Sequence, residues 1–176
     1  DHRLLRPQVP AVDVEGDTLF MRDEIMEAAA VMGLTERCHA SASRNLPLLK
    51  SLIRPVAVRL IATLTSTSAA NHLVGVDSER LTNLLIDHWE RLFEQGIDDA
   101  YVTRVTRVGI VHREHDILPK LYIQAYGWFA SRLVEDLTRV PNLDTDERAD
   151  LIASITKLIF FDMAMAIGAY DVALID

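Results

Sequence analysis

Between Leu151 and Ile175 apolar side chains fall on nearly every face of a helical repeat: Leu158, Ile159, Phe160, Phe161, Met163, Ala164, Met165, Ala166 and Ile167. A helix covered in this way has no face suited to water, so it is either enclosed by its own domain or shared with a partner. A chain of 176 residues makes one domain with a full core. One domain of that size buries only part of such a surface. A dimer seam is the economical account of this helix, and a central core helix is the alternative.

The remaining elements also read as helices. Residues 1–17 hold two prolines, several charges and no apolar period, which predicts an extended N-terminal arm ahead of a folded domain at 18–176. Leu19, Phe20, Ile25, Met26 and Ala29 fall near helical spacing, and Gly33 stops that helix. Thr35 is placed to cap the next helix, which runs to about Leu46, where Pro47 imposes a boundary. Leu48 to Leu64 mark a long helix with Pro55 as the expected kink. Asp77 or Ser78 caps a helix ended by Gly96, Asp98 opens the next, and Pro119 suits the first turn of the one after. Pro141-Asn142 makes a turn, and Thr145, with acidic residues close behind it, is the expected cap of the last helix. Strand-like alternation is absent. The fold class is all-α.

The net charge of −8 argues against a nucleic-acid partner, since phosphate binding needs a basic face. Cys38 is the single cysteine, so no internal disulfide forms and a reducing cytoplasm is the default. No uninterrupted apolar run approaches the roughly 20 residues of a membrane span, so no membrane partner is expected. Gly-rich phosphate loops, paired-cysteine metal spacings and nucleophile motifs are missing, and an enzymatic role is not expected. The chain opens at Asp1 and closes at Asp176 without a helix-stopping residue, the ends expected of an excised fragment.

One segment stands out chemically. Val108-Gly109-Ile110-Val111-His112 puts a histidine near the end of an apolar helix, seven residues before Pro119, with Tyr122, Ala125 and Tyr126 following. A lone histidine in such a setting is most often a packed core residue; a neutral imidazole in a dry pocket is also what a heme iron needs. The segment resembles the proximal region of the globin-coupled sensors, bacterial heme domains that detect oxygen and drive an attached signalling module. It departs from their pattern at Asp116-Ile117, where the family has Gly-Leu, and at Leu121, where it has tryptophan. A second stretch of resemblance runs from His88-Trp89-Glu90-Arg91-Leu92-Phe93 through Ile97-Asp98-Asp99 to Tyr101. A third runs from Lys157 through Phe161-Asp162-Met163 to Ala169-Tyr170. Together they cover roughly residues 34–176.

The resemblance implies a globin-like fold with an extra N-terminal helix, dimerised through a four-helix bundle of the last two long helices. It also implies heme b, with iron held by His112, and a diatomic gas ligand (oxygen, carbon monoxide or nitric oxide). Val108, Tyr122 and Phe93 would contact the heme, and Leu60, Ile61, Leu84 and Leu85 would form the distal side. The family's usual distal tyrosine falls at Ile61 and its later distal polar position at Leu84 or Leu85, so both expected hydrogen-bond donors are missing. A hydrogen bond to bound oxygen is worth about 1–3 kcal/mol, and its loss weakens oxygen retention by roughly one to two orders of magnitude. Three outcomes stand open: a five-coordinate heme under an apolar wall, a substitute ligand or donor, or loss of heme with the fold retained.

His115 is the rival ligand, His88 is expected as a packed hydrogen-bonded residue, and His72 as a surface residue near a loop. His2 and His39 show no partners in sequence. Tyr101 and Trp128 are expected in the core or against heme, Phe160 and Phe161 divided between pocket and seam, and Arg80, Arg104 and Arg107 near the propionates or solvated. The function implied is a heme-binding gas sensor in a homodimer that regulates a C-terminal module, a diguanylate cyclase by family analogy. The alternative is a heme-free, globin-like signalling domain.

Overall fold

A computed structural model describes residues 24–172. The expected N-terminal arm lies outside the described residues. Within them the chain is all-helical: α1 covers residues 24–31, α2 Glu36–Arg44, α3 Leu46–Thr65, α4 Ser78–Gln95, α5 Asp99–Glu114, α6 Pro119–Thr138 and α7 Thr145–Val172. A 3-10 helix, Ser68–Leu73, follows α3.

Local chemistry sets most of these boundaries. Gly33 and Gly96 end α1 and α4 with φ of +65° and +72°, a backbone region that costs glycine little. Asp77 accepts hydrogen bonds from the Glu79 and Arg80 amides, and Asp98 accepts one from the Tyr101 amide, so both satisfy amides that α4 and α5 leave unpaired. Pro119 opens α6 at the position where a missing N–H costs nothing. Asp116 carries φ of +53° in the α5–α6 break, a conformation aspartate tolerates better than bulkier residues. Pro55 lies inside α3 without breaking it.

Two expectations need correction. The cap of α7 is Asp144 rather than Thr145, because its carboxylate accepts from the Asp146 and Glu147 amides at 2.9 and 3.1 Å. The segment around His72 is the 3-10 helix instead of a loop, opened by the Thr67 hydroxyl, which accepts from the Ala69 amide. Length and composition alone would let α7 cross a membrane. In the fold, however, Leu151, Ile155, Leu158, Ile159, Phe161 and Ala166 of α7 are buried in the core.

α7 is the helix about which the rest is arranged. α2, α5 and α6 pack on it, while α3 bears against α4 and α6. Each fully buried leucine or phenylalanine stabilises this assembly by about 1.5–3 kcal/mol. α5 crosses α7 at Gly109, where a Cβ would stand 2.4 Å from the Ala166 carbonyl oxygen and 2.9 Å from the Tyr170 nitrogen. The α6–α7 corner is clasped by Arg148, whose guanidinium donates to the carbonyls of Leu137, Thr138, Val140 and Leu143. One face of α6–α7 remains outside: Ile123 and Phe160 are more than two-fifths exposed, and nothing lies within 4 Å of a Cβ built at Gly127 or Gly168.

Candidate functional site

α3, the 3-10 helix, α4, α5 and α6 enclose a cavity of about 710 Å³, within the size range of sites that take cofactors. Its wall is largely apolar. Leu60, Ile61 and Leu64 come from α3, Leu81, Leu84, Leu85 and Trp89 from α4, Val108 and Val111 from α5, and Leu121, Tyr122, Ala125 and Phe129 from α6. Helical spacing produces this wall: positions three, four and seven apart on each helix turn one stripe inward.

His112 lies in that wall, on the last turn of α5. Its Nδ1–H donates to the Val108 carbonyl at 2.6 Å. This bond fixes the tautomer and leaves the Nε2 lone pair unused, the arrangement of a histidine ready to bind a metal. Burial holds the imidazole below the ordinary histidine pKa; the Val108 carbonyl pulls the other way, and nearby His115 adds a smaller push downward. The ring therefore stays neutral at neutral pH. Tyr122 packs against it with ring centroids 4.9 Å apart, and Tyr170 of α7 lies 6.1 Å beyond Tyr122.

The structure gathers seven of the eight residues expected from sequence: His112, Val108, Tyr122, Leu60, Ile61, Leu84 and Leu85 all line the cavity. Phe93 does not. It is fully buried behind the wall, stacked on Trp89 at 6.0 Å, because its place on α4 turns it toward the core. Tyr101 and Phe161 pair with each other in the core, outside the lining. Phe160 faces outward. His115 caps α5 just past its end, exposed but still at the cavity edge. His72 also lines the cavity, from the 3-10 helix. His39 is remote, its Nε2–H donating to the Glu94 carbonyl.

Sequence reasoning missed a buried polar junction beside the cavity. Asp162 of α7 is fully buried. One of its oxygens accepts from His88 Nε2 at 2.9 Å, the other from the Tyr126 hydroxyl at 2.5 Å. His88 and Tyr126 both line the cavity, so this carboxylate ties two wall residues to α7. Burial, and then the negative charge of Asp162, push the Tyr126 phenol well above its ordinary pKa, so the phenol stays a donor. An acidic residue inside a strongly apolar helix was the available signal, since buried carboxylates are rare unless paired.

The residues fit a heme. The cavity is largely apolar and large enough for a flat macrocycle, and the His112 imidazole in its wall, its Nδ1–H committed to Val108, has its other nitrogen unused. Helices packed around an apolar cavity, with a histidine from one helix in its wall, define a globin-type domain. The Protoglobin family model matches residues 21–174, and the chain belongs to that family. Among solved structures, the globin domain of the Geobacter sulfurreducens globin-coupled sensor has a similar fold, with a TM-score of 0.74 at 16% identity. The match covers 82% of this chain and 96% of that one. No curated protein sequence matches the chain.

Proposed function

We propose that this domain is a gas-sensing globin that binds heme b through His112 and passes the state of the cavity to a signalling module. The observation that carries the reading is the Nδ1–Val108 hydrogen bond, which leaves Nε2 of a dry, neutral imidazole available. Heme would supply an open iron site for a diatomic gas. Ile61, Leu84 and Leu85, which line the cavity where the family's distal donors are expected, carry no side-chain hydrogen-bond donor of their own, which disfavours polar bound oxygen relative to carbon monoxide. Tyr122 holds the ring of His112 from the side. Asp162 links the cavity wall to α7, whose outer face is the proposed homodimer seam together with α6. The output module is proposed, by family analogy, to be a diguanylate cyclase, with the globin domain itself carrying no catalysis.

Absorption spectra of the purified protein, oxidised, reduced and with carbon monoxide, test this reading. The expected result is a Soret band that shifts on reduction and again with carbon monoxide. His112→Ala should lose heme or regain it with added imidazole. A chain with no Soret band after heme addition supports the heme-free signalling domain instead. An unchanged spectrum in His112→Ala moves the ligand to His115 or His72.

A further inference from the structure

We infer that Arg104, with Arg107 beside it on α5, forms an anion subsite in the cavity wall that takes a carboxylate of the bound ligand. The inference rests on the heme reading and names residues for the ligand's acidic edge. Arg104 Nε and Nη2 are enclosed by protein and have no hydrogen-bond partner among the described residues. A guanidinium is charged at any physiological pH, so enclosing its donors without an acceptor is unfavourable until one arrives. Arg104 and Arg107 line the same cavity as His112, and Arg80 enters it from α4.

The acids nearby do not fill this role. Asp77 is committed to the first amides of α4. Asp87 is paired with Arg91 at 2.9 Å. Asp162 already accepts from His88 and Tyr126. The chain has a net charge of −8, yet none of the ion pairs formed among the described residues includes Arg80, Arg104 or Arg107. The cavity therefore combines a broad apolar body with a cationic margin. A ligand complementary to it is a large apolar molecule with carboxylates at one edge, and the guanidinium fork matches a carboxylate with two parallel hydrogen bonds. The propionates of heme b have this chemistry.

Titrating the ligand-free protein with hemin and with hemin dimethyl ester, followed at the Soret band, tests the subsite. The expected result is that the wild-type protein binds the diacid at least about tenfold more tightly than the ester. Arg104→Gln should remove most of that preference by weakening hemin and leaving the ester unchanged. Arg107→Gln should give a smaller loss of the same kind. Because Arg104 has no partner in the ligand-free fold, ligand-free Arg104→Gln should melt at or above the wild-type temperature. Equal affinity of the wild type for both porphyrins overturns the subsite alone. So does an Arg104→Gln variant that keeps the full preference, or one that melts lower and loses both porphyrins together. If neither porphyrin binds the wild type, the heme reading fails and the subsite falls with it.

Discussion

At His112 two forces act on one imidazole in opposite directions. The Val108 carbonyl favours a protonated ring, and burial disfavours it more strongly, so the folded pKa lies below the ordinary value of about 6.5. The unfolded chain therefore takes up a proton at this position more readily than the folded one. It follows that the His112 contribution is retained above the ordinary histidine value and lost as pH falls toward the lower folded one. We predict that the ligand-free wild type loses stability relative to His112→Gln between about pH 8 and about pH 5. Denaturant midpoints across that range measure it, and a difference independent of pH would refute it. His112 was legible in the sequence because an apolar run preceded it and a proline break followed it at fixed spacing. Arg104 was legible only as one of three arginines placed near the propionates or in solvent, since a charged residue on a helix is solvated more often than buried; only the folded arrangement shows its donors enclosed. Asp162 was quoted within a motif, yet its partners lie 74 and 36 residues away, beyond any local pattern.

Among the elements, α5 shows how tightly the site is set against the core. Gly109 lets it approach α7 so closely that a side chain would meet backbone atoms, which cannot move aside as a flexible side chain would. We predict that Gly109→Ala costs about 1–3 kcal/mol, the usual range for overpacking, and shifts α5 enough to disturb His112. Chemical denaturation of the ligand-free variant checks this, and unchanged stability would mean the helices are free to separate. Helix boundaries were the most legible part of the fold. Gly33, Gly96, Asp77, Asp98 and Pro119 each act through their own backbone or a neighbouring amide, so sequence contains the whole cause. The 3-10 helix at Ser68–Leu73 was not legible, since it has no amphipathic period and is held against α3 by tertiary contact. The α7 cap was misplaced by one residue because Asp144 and Thr145 are both good caps, and only geometry decides between them.

For the whole molecule, the outward face of α6 and α7 is the feature the single chain does not explain. Phe160 and Ile123 lie on it with open glycines Gly127 and Gly168 that would allow another helix to come close. We predict a two-fold dimer through this face, since a closed symmetric pair covers it without leaving a sticky end. Phe160→Glu should give a monomer or a precipitate in light scattering at micromolar concentration while heme uptake persists; a monomeric wild type would exclude the dimer. α7 would border this proposed seam on one side and is tied, through Asp162, to the cavity wall on the other. That placement has a thermodynamic corollary. If filling the cavity alters the strength of the pairing, pairing must alter the affinity of the cavity by the same factor, because linkage between two equilibria is symmetric. Simple dilution would then change how firmly the domain holds its ligand, and the abundance of the protein in its cell would set the concentration at which it responds.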